Sequence, residues 1–183
     1  MEIFKIVKDT KPSLRKRCEN IDFPLEQKYI DTLMNMLEYL RASQDEKFLE
    51  KHHNVRSGVG LAAPQIGINK NMLAISFIDE KGKRQEYAFI NPRIISESVK
   101  ECYLQNGEGC LSVDKPHDGY VYRHYKVTVK TYDLLKQGLV TYTFTGYPAI
   151  IVQHEIDHLK GILFYDHINK ENPFIKKPGA IEI

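Results

Sequence analysis

Between Pro24 and Arg41 apolar residues recur at Ile30, Leu33, Met34, Leu37 and Leu40. That spacing predicts one amphipathic helix with Pro24 near its first turn. The pattern then breaks. Gln44 to Ser57 is polar and holds His52 and His53; adjacent histidines on a helix cannot both face one metal, so both read as exposed. Gly58 to Gly67 reads as a glycine-containing loop. Met72 to Ile78 and Tyr87 to Asn91 are strand-like runs split by the turn residues DEKGKR, and Arg93 to Leu104 reads as extended. Lys126 to Tyr132 and Leu139 to Thr145 alternate β-branched, aromatic and polar residues around LLKQG, which predicts a hairpin. Tyr147 to Leu159 is apolar at Ile150, Ile151, Ile156 and Leu159 and predicts a second helix. Thr145 is placed to cap it, Pro148 suits its first turn and Gly161 its end. The tail KKPGAIEI reads as an extended segment. Strands followed by one apolar helix predict an α+β fold with that helix buried against the sheet.

Composition narrows the picture. A chain of 183 residues is enough for a single domain, 1–183, with a real core and is short for two. The net charge of +2 gives no electrostatic case for nucleic-acid or membrane partners. The small cluster Lys11, Arg15, Lys16 and Arg17 reads as a solvated face. No apolar run approaches the length of a membrane span, and MEIFKIVKDT lacks the apolar stretch of a signal peptide. The three cysteines, Cys18, Cys102 and Cys110, are an odd, small set that argues against a disulfide framework. A cytoplasmic location is therefore expected.

The chemistry concentrates in three segments. His154-Glu155-Ile156-Asp157-His158 is an H-E-x-x-H run. Histidines at i and i+4 share one helical face, so both rings can reach one metal, and Glu155 is placed to handle a proton on metal-bound water. The setting is an apolar helix, where such polar residues are costly to bury without partners. H-E-x-x-H also marks zinc endopeptidases, one type of which continues with a glycine and a third histidine. Gly161 stands where that glycine falls, but the ligand position is Phe164, and His167 comes three residues too late. Glu171 and Glu182, the downstream carboxylates, lie in a polar tail with no helical pattern. Upstream, Gly107-Glu108-Gly109-Cys110-Leu111-Ser112 offers a cysteine in a predicted turn. A thiolate suits a divalent transition metal, and two histidines with one thiolate leave the fourth tetrahedral position open for water. Alone, this turn fits a buried structural cysteine equally well. The third segment, GVGLAAPQ from Gly58 to Gln65, lacks the ending of a phosphate loop. It reads either as a plain connection or as a substrate-binding edge, with backbone groups exposed and Gln65 offering an amide N–H.

Together the three segments, GVGLAAPQ, EGCLS and HEIDH, intact and in order, resemble the peptide deformylase family, whose motifs are G-x-G-x-A-A-x-Q, E-G-C-x-S and H-E-x-x-H. The longer insert before the first motif, EGCLSVD and the non-helical tail resemble its Gram-positive-type subclass. The resemblance implies a mixed α+β fold with antiparallel strands around the helix carrying HEIDH. It implies metal ligation by Cys110, His154 and His158, with Glu155 as general base and then general acid to a metal-bound hydroxide. Gln65 and the Leu111 N–H would form the oxyanion hole. The metal implied is one divalent ion per chain, Fe2+ in the cell, replaceable by Zn2+, Ni2+ or Co2+. The substrate implied is the N-formylmethionyl end of a nascent peptide, with transient ribosome contact. Tyr147, Ile150 and Ile151 would line a pocket for the methionine side chain, although plain core packing accounts for them equally. Val59, Gly60, Glu108 and Gly109 would hold the peptide backbone as an added strand. A rival of another kind is a non-catalytic module with a structural metal, which would need a fourth protein ligand such as Cys102.

Overall fold

The computed structural model describes residues 2–183. Helix α1 spans Gln27–Ser43 and the short α2 Glu46–Lys51; strands β1 (Gly60–Ala62), β2 (Met72–Ile78) and β3 (Arg84–Glu97) follow. Then come β4 (Glu101–Tyr103), β5 (Arg123–His124), the hairpin of β6 (Lys126–Asp133) and β7 (Gly138–Thr145), helix α3 (Tyr147–Lys160) and a terminal strand β8 (Ile181–Glu182). Five strands make an antiparallel sheet in the order β1-β2-β3-β6-β7. A smaller sheet has the order β5-β4-β8, with β8 parallel to β4. The α+β architecture agrees with the expectation.

Both faces of the large sheet are covered, which explains why β2 reads as an unbroken apolar run rather than an alternating one. Met72 and Ala74 pack with Leu33, Met36, Leu37 and Leu40 of α1. Leu73, Ile75 and Phe77 point the other way, into a core shared with Ile151, Val152, Ile156 and Leu159 of α3. Helix α3 is therefore buried on nearly every side. It stops at Gly161, which takes the left-handed conformation at φ 77 and donates its N–H to the His158 carbonyl at 3.1 Å. A Cβ at Gly161 would lie 2.6 Å from the Arg15 carbonyl carbon, so the chain can pass there only with glycine.

Several local expectations need correction. Thr145 does not cap α3: it ends β7, and Gly146 holds the cap position at φ 67 with no side chain to offer. Helix α1 begins at Gln27, shortly after Pro24, and Met36 and Tyr39 are buried where Ile30 and Met34 are only half-buried. The polar insert contains α2, whose N-cap Asp45 accepts the Phe48 N–H at 2.8 Å; six residues are too few to display a helical period. His52 is not fully exposed, because its ring lies 4.3 Å from that of Phe48. The run from Arg93 is extended as expected, though split between β3 and β4, and the extended tail ends in β8 on the edge of the small sheet.

Candidate metal centre and active site

Helix α3 brings the first two candidate ligands to one place. The rings of His154 and His158, one turn apart, have centroids 5.0 Å from each other. The turn before β5 brings the third: Cys110 Sγ lies 3.2 Å from His158 Nε2. Ligand atoms of Cys110, His154 and His158 all fall within 4.8 Å of one another, and this is the group among the described residues that can hold a metal ion. Ligand atoms around one divalent ion stand about 3.3–3.8 Å apart, a spacing that lies between the 3.2 Å of Cys110 and His158 and the 4.8 Å span of the cluster. Cys102 is buried in β4 and takes no part, which leaves the structural-metal rival without its fourth ligand among the described residues.

The His154 ring is fixed from behind. His154 Nδ1 lies 2.8 Å from Glu108 Oε2, which directs its other nitrogen toward the thiol. Burial works against charge on His154, but its hydrogen bonds to Cys110 and Glu108 prevail and hold its pKa well above the ordinary value. His158 is pushed well below that value by burial and by its neighbour His154, so it stays neutral with a lone pair to offer. Its Nδ1 is buried without a hydrogen-bond partner. A thiol and two convergent imidazoles fit a divalent transition metal.

Glu108 in turn sits in a buried ion network. Arg123, on β5, donates Nε to Glu108 Oε1 at 2.5 Å, Nη2 to Oε2 at 2.9 Å, and Nη1 to Asp157 Oδ2 at 2.8 Å. Asp157 also meets His167 Nε2 at 2.7 Å. Burial alone would raise the Glu108 pKa, yet Arg123 and His154 hold it down at about 2. The Glu108 carboxylate is thus engaged by the histidine and the arginine. No sequence pattern marked Arg123, because only the fold brings it to Glu108.

Glu155 stands beside the ligands with its Oε2 buried and unpartnered. Burial pushes its pKa up to about 7 against the pull of His154 and Arg123. It packs on Gly60, where an added Cβ would stand 2.6 Å from Glu155 Cδ. Gln65 is buried and anchored: its Oε1 accepts the Ala62 N–H at 2.8 Å, and its Nε2 lies 3.2 Å from Ser112 Oγ and 3.5 Å from Cys110 Sγ. Its amide N–H therefore points at the ligand cluster.

These groups open onto one cavity of about 380 Å³. Val59, Gly60, Gln65, Glu108, Gly109, Cys110, Leu111, Tyr147, Ile150, Ile151, His154 and Glu155 all line it. His158 lies behind, against Cys110. Ile150 and Ile151 are nearly buried and also form part of the cavity wall; Ile151 also belongs to the α3 core. A Cβ at Gly109 would meet nothing within 4 Å. The lining residues Arg56, Ser57 and Leu104 carried no signal in the sequence, whereas Gly58 opens the GVGLAAPQ segment.

An α+β fold whose central helix brings two histidines and a carboxylate to a cysteine has the makeup of a metallohydrolase. The family model described as polypeptide deformylase matches residues 3–174. The peptide deformylase of Pediococcus pentosaceus is 50% identical over 179 residues, 97% of this chain and 96% of that protein. The one from Oceanobacillus iheyensis is 48% identical over 169 residues, 92% and 91% of the two chains. Among solved structures, a probable peptide deformylase from Synechococcus phage S-SSM7 superposes with a TM-score of 0.73 at 32% identity, covering 91% of this chain and 100% of that one. A peptide deformylase from Acinetobacter baumannii, bound to Met-Ala-Ser, gives 0.71 at 30% identity, covering 91% and 99%. The chain belongs to the peptide deformylase family, metal-dependent enzymes that remove the N-formyl group from nascent peptides. Among the described residues, no helix is long and apolar enough to cross a membrane.

Proposed function

We propose that residues 1–183 form a single catalytic domain that hydrolyses the formyl amide of an N-terminal formylmethionine, with Cys110, His154 and His158 holding the metal. The observation that carries this reading is the position of Glu155, buried beside the ligand cluster with one carboxylate oxygen unpartnered at the floor of the cavity. A divalent metal held there supplies Lewis acidity, lowering the pKa of water and polarising a carbonyl. Ferrous iron is the ion proposed for the cell, with Zn2+, Ni2+ or Co2+ as substitutes that the same donors accept.

The residues of the chain then divide the work. Glu155 takes a proton from the attacking water as its oxygen bonds to the formyl carbon. Gln65 Nε2 and the Leu111 N–H donate to the formyl oxygen as charge develops there, favouring the transition state over the substrate. The C–N bond breaks, Glu155 returns its proton to the departing nitrogen, and the products are formate and a free amine. A pKa about 7 suits a group that accepts and returns a proton near neutrality; a cation among the ligands opposes that rise. Tyr147, Ile150 and Ile151 take the methionine side chain. The following backbone pairs with Val59 and Gly60 beside edge strand β1 and with Gly109 across the cavity. Work on nascent chains implies a cytoplasmic enzyme in transient contact with the ribosome.

The test is formate release from a formyl-Met peptide under anaerobic, reducing conditions, with peptide mass followed in parallel. Formate and an otherwise intact peptide are expected. Metal content should drop in Cys110→Ala and hold in Cys18→Ser. Internal cleavage, or no formate from metal-loaded protein, would contradict the reading.

A further inference from the structure

Arg56 lies 54 residues before Cys110 in the chain, on the segment between α2 and β1, and lines the cavity mouth. Its guanidinium collects carbonyl oxygens from the cysteine turn. Nη1 donates to Val113 O at 3.1 Å; Nη2 donates to Cys110 O at 3.1 Å and, closer still, to Leu111 O. Lys8 Nζ adds a second cation on Leu111 O at 3.2 Å, and the Asp9 N–H donates to Ser112 O at 2.9 Å. Asp114 balances the charge, 3.3 Å from Arg56 and 2.8 Å from Lys8. Three of these carbonyls thus meet the two cations and Ser112 O meets the Asp9 amide, while Cys110 O also accepts the Val113 N–H inside the turn at 3.2 Å.

Peptide geometry converts that grip into a statement about the active site. Each trans peptide unit is planar, with its C=O and N–H pointing in opposite directions. The Cys110 carbonyl shares a unit with the Leu111 N–H, and the Leu111 carbonyl with the Ser112 N–H. Pulling both oxygens toward Arg56 therefore turns both N–H groups the other way. The Ser112 N–H does lie 3.4 Å from Cys110 Sγ, and Leu111 lines the cavity. We infer that Arg56 is a positioning residue: by holding the carbonyl side of the Cys110–Val113 turn, it aims the Leu111 N–H at the reacting oxygen and the Ser112 N–H at the thiolate. The inference rests on the metal and oxyanion roles proposed for this turn.

Three converging carbonyls match the planar fork of an arginine, whereas lysine offers a single point charge. Arg56→Lys should therefore restore only part of what Arg56→Ala loses. Both variants, loaded with Co2+, are to be compared with wild type in kcat, KM, thermal unfolding and the thiolate-to-cobalt absorption band. Arg56→Ala should lose about 10²-fold in kcat, the scale for misplaced catalytic groups, while KM hardly moves and the cobalt band changes. Arg56→Lys should fall between. Wild-type kcat and an unchanged band in Arg56→Ala, even with a lower melting temperature, would reduce Arg56 to a structural contact and overturn the inference. So would a rise in KM alone, which would make it a substrate contact. Should Arg56→Ala not fold, Arg56→Lys decides, and a wild-type kcat there overturns it as well. A wild type with no cobalt–thiolate band would instead remove the metal reading beneath the inference.

Discussion

Gly60 and Glu155 are in direct contact: a Cβ built on Gly60 would come within 2.6 Å of Glu155 Cδ and 2.7 Å of its Cγ. Gly60 sits on the face of β1 that meets α3, next to Ala62, which packs in the α3 core. The missing side chain makes room for the carboxylate. Gly60→Ala must push Glu155 aside or spread β1 from α3. Turnover should fall about 10²-fold, the usual effect of a misplacement of an ångström at a catalytic group. Bound metal should stay near the wild-type level, because the atoms nearest to an added Cβ are those of Glu155 and not of a candidate ligand. Steady-state kinetics with metal analysis checks this, and a normal kcat would show that Glu155 has freedom the packing denies it.

Arg123 neutralises two carboxylates at once, Glu108 and Asp157, with its own side chain only 3% exposed. Arg123→Met fills the space but leaves both carboxylates short of a partner, and breaking a buried pair of this kind costs about 3–5 kcal/mol. Glu108 would then be drawn toward protonation and hold His154 less firmly. Chemical denaturation should register the loss, and metal affinity should weaken with it. Adding Glu108→Gln to Arg123→Met should recover part of the stability. An equally destabilised double variant would mean that the arginine acts through packing alone.

Arg41 and Glu86 tie α1 to β3 through two bonds of 2.6 Å. Arg41 holds the Glu86 carboxyl below its ordinary value despite partial burial, with help from Ser76. A carboxyl depressed in the folded state contributes stability above its unfolded pKa, about 4.3 for glutamate. That contribution is lost as the pH falls through the lower folded value. The stability gap between wild type and Glu86→Gln should therefore be full at pH 7 and shrink below about pH 4. Urea titrations across this range measure it, and a gap independent of pH would rule the ion pair out as its source.

The legible parts of this protein were those written locally. HEIDH declared itself because two histidines one turn apart on an apolar helix have few structural reasons to exist. The hairpin of β6 and β7 showed in its alternation, since one of its faces is exposed over most of its length. Strand β2 was legible only as an apolar run; its two-sided burial depends on α1 and α3 arriving from opposite directions. Helix α2 and the Gly146 cap escaped notice because six residues cannot show a period and a glycine can end a strand as readily as start a helix. Cys110 was ambiguous until the fold set it 3.2 Å from His158. Arg56 and Arg123 were invisible because their partners lie far away in sequence and nothing in the local pattern distinguishes them from surface charges.

On the proposed mechanism, Glu155 moves the proton while Cys110, His154 and His158 hold the metal. Glu155→Gln keeps the size and most of the polarity of the side chain and removes its base. The direct measurement is single-turnover formate release by metal-loaded wild type and Glu155→Gln, on one peptide with and without its formyl group, with metal content and peptide mass determined in the same samples. Metal should be retained, the formyl peptide should still bind, and formate release should drop by about 10²–10⁴. Wild type should yield formate and an otherwise intact peptide. Undiminished release from a metal-loaded Glu155→Gln would contradict the assignment of the proton to this carboxylate.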